Sequence, residues 1–533
     1  MYLLLFAGFA ILCFALYRPA LEGDFVSDDL TVLRDNPFIT TLSFENVASI
    51  FDIGASEKSF TGNYAPINEL MMALERHYFG PRVFPYHAVN ILLHALNSVL
   101  LIAWLRSSRL PLVGALLGGL IFVLHPANVE AVAWMSQLKT VSALTFSLAA
   151  LLLFRRAPLA GTLFFSVALL TKASALFALP TAAVFTWARR GEVGGGARHW
   201  AWVAAWAVIF GLYAIPEFSS FRMFGESEAR SYPDAAVHLR SIAGYGSRYL
   251  VMATTSYGLS AFHEPEAAHS ILDPWWLAAL PAAGLFVWRL TVVSLRRSEE
   301  AAYWVAAAAS FAPISQIFPF IYPMGDRYLY FVLPGLIGGS LFLASDARTR
   351  LASMRATGSA SLPSPATTSR VAIACVLALS VFFGTRSVER AGVWRNETRL
   401  FLDAERHYPD GGPANLLRAR RAAQMGDVAG AIEALQGAEA AGLTDFMILP
   451  NDPALAPIIG TKEFYDFVRG MAARWIERSR HWGSMNQAEY HMLAHAHIIR
   501  DETVEAEAAL EKAIAAGGPQ EEVLRSELTE LRF

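Results

Sequence analysis

His87-Ala88-Val89-Asn90-Ile91-Leu92-Leu93-His94-Ala95-Leu96-Asn97-Ser98-Val99-Leu100-Leu101-Ile102-Ala103-Trp104-Leu105 is the run whose reading decides how this chain folds. It carries no charged side chain, and as a helix rising about 1.5 Å per residue it crosses roughly 30 Å of hydrocarbon. Its polar residues are patterned: His87, Asn90, His94 and Asn97 recur at intervals of three, four and three, which lays them on one helical face. Such a face must look into a bundle or a wet cavity, because lipid offers polar groups no partners. For His94 and Asn97, deeper in the run, interhelical hydrogen bonding is the expected role. His87 and Asn90, near one end, suit either that role or contact with a substrate.

The rest of the chain repeats the texture. Hydrophobic residues make up 54% and charged residues 17%, against about 45–50% and 25% in an ordinary soluble domain. Apolar runs near 2–19, 87–105, 111–125, 136–154, 158–171, 173–188, 200–216, 275–295, 301–318, 327–345 and 370–386 predict an all-α, polytopic membrane domain of about eleven spans. Met1 to Leu16 has no basic leader and no small-residue cleavage site after it, so it is read as the first span. The net charge of -3, with no clustered basic surface, excludes nucleic acid as a partner. Cys13 and Cys375, the only cysteines, both fall in apolar runs and supply neither a disulfide framework nor a cysteine-ligated metal site.

Orientation follows from arginine. Arg106 and Arg109, Arg155 and Arg156, Arg189, Arg190 and Arg198, Arg296 and Arg297, and Arg348, Arg350 and Arg355 occupy every second loop, which makes those loops cytoplasmic. The N-terminus is then inside. The long loop 20–86, the turn at His125, the segment 217–274, the turn before Arg327 and everything after 387 lie outside. Residues 244–262 are apolar, but a crossing there would invert the Arg296/Arg297 loop, so they are expected to be interfacial or re-entrant. The Ser/Thr/Pro-rich stretch 352–369 reads as a flexible linker.

Two domains are expected, 1–390 in the membrane and 391–533 as soluble helices. Ala422, Gly426, Asp427, Ala431, Ile432, Leu435 and Ala438 form a helix-turn-helix pattern with small residues where helices must approach. Met492, Leu493, Ala494, Ala496, Glu505, Ala506, Ala508, Ala509, Leu510, Ala513 and Ile514 repeat it, in the manner of a short tetratricopeptide array.

Chemistry is concentrated in the loops assigned to the outer face. In Gly23-Asp24-Phe25-Val26-Ser27-Asp28-Asp29 the adjacent carboxylates repel, so one can hold a raised pKa while the other stays ionised, as a general base or cation site needs. Taken alone, such a pair is more often a solvated turn. His125-Pro126-Ala127-Asn128-Val129-Glu130 breaks a span and leads to Trp134 and Lys139. Lys139, Lys172 and Arg327 sit at three helix ends on the face that bears Asp28, where they can clamp a phosphate. The competing reading is that the lysines snorkel and that Tyr328 and Tyr330 beside Asp326-Arg327 are interfacial aromatics. His491 and His495 are spaced to share a metal, but the sequence shows no third ligand in range. No glycine-rich phosphate loop and no Ser-His-Asp spacing is present.

In order along the chain, Phe25-Val26-x-Asp28-Asp29 with Asn36, Tyr64-x-Pro66, Phe84-x-x-His87-x-Val89-Asn90-x-x-x-His94, His125-Pro126-x-x-x-Glu130-Ala131-Val132-Ala133-Trp134, Asp326-Arg327-Tyr328-Leu329-Tyr330, Val393-Trp394-Arg395-Asn396-Glu397 and the terminal repeat helices resemble the transmembrane and tetratricopeptide-repeat O-mannosyltransferases. These belong to the GT-C class of multi-spanning glycosyltransferases. The resemblance implies that Asp28 and Asp29 are the catalytic pair and that Arg327, Lys172 and Lys139 serve the donor phosphate. It leaves Tyr64, His87, Asn90, His125, Glu130, Asp326 and Tyr328 as substrate-binding candidates. This chain departs from the family in having Lys172-Ala173-Ser174 where relatives carry Lys-Glu, and in its shorter repeat array.

The implied activity moves mannose or a similar hexose from a polyprenyl-phosphate carrier to an acceptor hydroxyl, such as Ser or Thr of a protein, by inverting displacement on the outer face of the membrane. The implied partners are the lipid-linked donor, membrane lipids, and an acceptor protein or glycan met through the C-terminal helices. A divalent cation (Mg2+ or Mn2+) on Asp28 or Asp29 is compatible with the acidic pair. The expected setting is a bacterial inner membrane with the C-terminal domain outside. Two other classes compete: a non-catalytic membrane scaffold that recruits envelope partners, which needs Asp28 and Arg327 far apart, and a transporter, which needs inverted repeats that the sequence lacks.

Overall fold

A computed structural model describes residues 1–36, 39, 41–52, 63–190, 196–224, 232–317, 322–356, 365–482, 485–517 and 520–532. Among them the chain is all-α, with no strand.

Each expected span contains helix, but the lengths divide them. Val83–Ser107, Met135–Leu153, Ala197–Ser220, Pro274–Leu295 and Asp326–Met354 are long and apolar enough to cross a membrane. Leu112–Leu124 and Pro126–Ala133, bent by 52°, make a sixth if they count as one span. Tyr2–Leu16, Pro158–Thr171 and Ala173–Ala188 are apolar but shorter. By length and composition, five helices among the described residues qualify as full spans, or six with the bent pair. The break between the runs 158–171 and 173–188 falls at Lys172, whose backbone is extended, and the helix on each side is short.

Three boundaries also move. The helix expected to end at 216 continues through Pro216 to Phe224, which places Glu217 inside it. Residues 244–262 divide between the Ala235–Thr255 helix, which ends at the left-handed Ser256, and an irregular segment after it. In the expected linker 352–369, residues 352–356 and 365–369 belong to the flanking helices, and 357–364 lie outside the described residues.

The polar stripe of the Val83–Ser107 helix acts mainly as interhelical glue. His94 bonds through Nδ1 to the Tyr330 hydroxyl at 2.9 Å and through Nε2 to the Val123 carbonyl at 3.3 Å. Asn97 donates to the Val141 carbonyl at 2.8 Å and to the same Tyr330 hydroxyl at 3.0 Å, and accepts from Thr145. Four helices are thus tied through one buried face. Glycine brings two others together: a Cβ at Gly338 would fall 2.1 Å from the Tyr303 ring, so only the bare backbone lets Leu329–Ala356 approach Glu300–Phe311.

The segments assigned to one face by arginine alternation do meet one another. Asp29 bonds to Ser136, Glu130 to Arg327, His125 to Ala253 and His263 to Asp326. At the other end of the helices, Arg189 pairs with Glu299 and donates to the Ser107 carbonyl at 2.9 Å.

Beyond 393 the helices build an apolar core of their own around Leu417, Leu435, Phe446, Phe467, Met471 and Trp475. Gly412–Gln424 turns into Val428–Ala440 at Gly426, whose φ of 75° suits glycine, and Asp427 caps the second helix by accepting from Gly430 N–H at 2.9 Å. A second hairpin joins Gln487–Ile499 to Thr503–Ala516 and buries Ala494, Ala506, Ala509, Leu510 and Ala513. These are the two patterned pairs read from the sequence.

Candidate active site

Ser27, at a left-handed φ of 52°, turns the acidic loop so that one carboxylate goes inward and the other outward. Asp29 is fully buried. Its Oδ1 accepts the Ser136 N–H at 2.8 Å and the Ser136 hydroxyl, and its Oδ2 accepts the Val26 N–H at 3.2 Å. Burial pushes this carboxyl up to about 7, with the Asp28 charge adding to the rise and the three hydrogen bonds opposing it. Asp28 stays exposed, with the Ser27 hydroxyl 3.4 Å from Oδ1. The two members of the pair therefore differ: Asp29 locks the loop to the Trp134–Gln137 turn, and the Asp28 carboxylate is exposed. Both oxygens of Asp29, expected as one of the catalytic pair, are engaged by Val26 and Ser136.

The His125-Pro126 break builds the opposite wall. A residue before proline disfavours the helical region, and His125 is extended. Its Nδ1 accepts the Ala127 N–H at 3.2 Å and its Nε2 bonds to the Ala253 carbonyl at 2.9 Å. Both ring nitrogens thus serve backbone, and His125 shapes the break.

The short helix that follows presents Glu130, which is buried and accepts the Arg327 backbone N–H at 2.8 Å and the Arg327 guanidinium Nη1. That guanidinium lies over the Trp134 ring at 5.2 Å and the Tyr328 ring at 4.7 Å, and donates through Nη2 to the Tyr328 hydroxyl at 3.2 Å. With 15% of the Arg327 side chain exposed, a second anion can reach it.

Lys139 and Lys172 complete a cationic cluster. Lys172 Nζ donates to Thr140 Oγ1 at 2.8 Å, and its charge is felt against those of Lys139 and Arg327. The Asp28 charge in turn acts on Lys139, on Arg327 and on Tyr328. The Asp28 carboxylate therefore acts on Lys139 and Arg327, from two other segments of the chain.

The remaining candidates scatter around this centre. Tyr64 bonds through its N–H to Glu217 at 2.8 Å and through its hydroxyl to the Phe51 carbonyl at 3.0 Å. Asn90 donates to the Trp134 and Met135 carbonyls at 3.2 and 3.4 Å, and His87 lies buried against Ala133. Asp326 is turned away from the cations, accepting from His263 Nε2 at 2.7 Å, Ser260 N–H at 3.3 Å and Arg390 Nη2 at 3.3 Å. Arg390 also pairs with Asp403 at 2.7 Å, so Asp326 is tied through Arg390 to the C-terminal helices. Trp394 stacks on Trp134 with ring centroids 5.1 Å apart, and the Arg395 carbonyl accepts the Asp24 N–H at 2.9 Å, which closes that anchor beside the acidic loop.

Sequence reasoning passed over Ser136 and Glu217. Ser136 had no visible signal, because a serine beside a helix break has many roles. Glu217 had one: a carboxylate directly after an apolar run. It accepts from Tyr64 N–H and from the Tyr213 hydroxyl at 3.0 Å, and its charge acts on Lys139.

With this geometry in view, comparison with known proteins adds a second line. The mouse Protein O-mannosyl-transferase TMTC1 is 31% identical over 157 residues, which is 28% of this chain and 16% of the mouse protein. Its human counterpart is 32% identical over 136 residues, 24% of this chain and 15% of the human one. The chain is similar to O-mannosyltransferases. The matched stretch spans less than a fifth of those relatives' length. No family model matches the chain. Among solved structures, the apo oligosaccharyltransferase of Archaeoglobus fulgidus superposes with a TM-score of 0.41 at 12% identity, over 74% of this chain and 56% of that one.

Proposed function

We propose that this integral membrane protein is a glycosyltransferase that moves mannose or a similar hexose from a polyprenyl-phosphate carrier to an acceptor hydroxyl. The observation that carries the proposal is that the charge of the exposed Asp28 carboxylate acts on both Lys139 and Arg327, cations from two distant segments. The similarity to named O-mannosyltransferases supports the sugar and the Ser/Thr acceptor. The scaffold alternative needs Asp28 and Arg327 far apart, and their coupling speaks against it.

In the proposed step, the acceptor oxygen attacks the anomeric carbon from the face opposite the phosphate while its proton passes to the Asp28 carboxylate. The bond from the anomeric carbon to the phosphate oxygen breaks, and the electron pair leaves on polyprenyl phosphate. Arg327, Lys172 and Lys139 stabilise the charge that develops there. Glu130 and Tyr328 hold the Arg327 fork in place, and Asp29 fixes the backbone from which Asp28 projects.

A divalent cation does not suit this donor set. Asp29 has both oxygens occupied, which leaves Asp28 as the free carboxylate of the pair, among three cations. No step is routed through a metal. On this reading the reaction lies on the outer side of a bacterial inner membrane, with the acceptor approaching past the C-terminal helices.

The test is direct. The purified full chain is incubated with polyprenyl-phosphate mannose and a Ser/Thr peptide, and glycopeptide is followed by mass spectrometry. Transfer that is abolished in Asp28→Asn, with helicity retained, supports the mechanism; undiminished transfer in that variant removes Asp28 as the base.

A further inference from the structure

The histidines left without a third ligand in the sequence acquire one in the fold. His491 and His495 are one turn apart on the Gln487–Ile499 helix, and the terminal helix Glu521–Arg532 brings Glu527 to them, 36 residues along the chain from His491. His491 Nε2 is 2.9 Å from His495 Nε2 and 2.8 Å from Glu527 Oε2, and His495 Nε2 is 3.6 Å from that same oxygen. These separations bracket the spacing of about 3.3 Å between ligand atoms around a tetrahedral zinc with bonds of about 2.0–2.1 Å.

The chemistry of the contact also calls for a cation. The Nε2 atoms of both rings and one Glu527 oxygen converge on one point. Two imidazole nitrogens and a carboxylate oxygen at these separations form a donor set of the kind that holds zinc. At its other nitrogen, Nδ1, His491 is 3.1 Å from Gln520 Oε1, which orients the ring. Gln520 is the kind of outer partner that fixes the tautomer of a metal-bound histidine. All three side chains are partly exposed, which leaves a fourth position for water.

We propose that His491, His495 and Glu527 bind a zinc ion that staples the terminal helix to the last helical hairpin. The site is remote in sequence from the acidic loop and independent of the transfer reaction proposed above.

The test uses the full chain purified without a histidine tag, stripped with chelator, reloaded with zinc chloride and dialysed. Wild type is expected to retain one zinc more than either His495→Ala or Glu527→Gln. Cobalt in its place should give the visible absorption of a tetrahedral site, lost in both variants. Gln520→Ala should weaken zinc affinity by about 10–100-fold while keeping the cobalt spectrum. Far-UV circular dichroism checks that the variants remain helical, and Glu527→Gln preserves side-chain size if His495→Ala does not fold. Equal zinc content in wild type and Glu527→Gln, or no zinc retained by wild type, would overturn the proposal.

Discussion

Replacing Asp29 with asparagine tests how the acidic loop is held. In the folded protein burial lifts the Asp29 carboxyl from its ordinary 3.8 to about 7. A carboxyl that holds its proton more tightly when folded makes the native state bind more protons than the unfolded chain between those values. Stability from this group is therefore greatest in acid and is lost as pH rises from about 4 to about 7. At about 1.4 kcal/mol per pH unit, the loss amounts to about 4 kcal/mol. The amide of Asp29→Asn does not titrate, so the variant should lack this slope. It should also carry a pH-independent penalty of about 1–3 kcal/mol, because its NH2 group faces one of the three donors on Val26 and Ser136. Thermal melts of the detergent-solubilised chain at pH 4 to 8 give the comparison. Wild type should exceed the variant most in acid, and the gap should shrink or reverse by pH 8. Parallel curves across that range would mean that Asp29 titrates as an ordinary surface carboxylate and does not anchor the loop.

Other outcomes follow from the same contacts. Glu130→Gln leaves the Arg327 guanidinium without its buried counter-charge and should destabilise the protein by about 3–5 kcal/mol, read as a fall in melting temperature. Arg327→Lys keeps the charge but loses the planar fork over Trp134 and Tyr328; sugar transfer should drop about 100-fold or more with little change in folding, read in the glycopeptide assay. Gly338→Ala drives a methyl group into the Tyr303 ring and should cost about 1–3 kcal/mol, again seen in the melt.

Much of the architecture was legible because it depends on local chemistry. Apolar runs predict helices wherever they fall, since every backbone group in lipid must be paired within its own segment. The three-four-three spacing of His87, Asn90, His94 and Asn97 already predicted a common face, and the glue role of His94 and Asn97 followed from their depth. The Gly426-Asp427 turn was readable because only a few residues tolerate that geometry. Span ends were less legible, since the apolar run 200–216 does not reveal that its helix continues through Pro216 to Phe224.

At the site, residue types could be read but their partners could not. Sequence alone identified an acidic pair, three cations at helix ends and a histidine pair one turn apart. Tertiary structure decided which member of each set is free. It engaged both oxygens of Asp29 with Val26 and Ser136, turned Asp326 toward His263 and Arg390, occupied both nitrogens of His125 with backbone, and delivered Glu527 to His491 and His495. The physical reason is common to all four. Whether a polar side chain is available for chemistry depends on which donors and acceptors lie within about 3 Å of it, and those neighbours come from segments that local spacing does not connect.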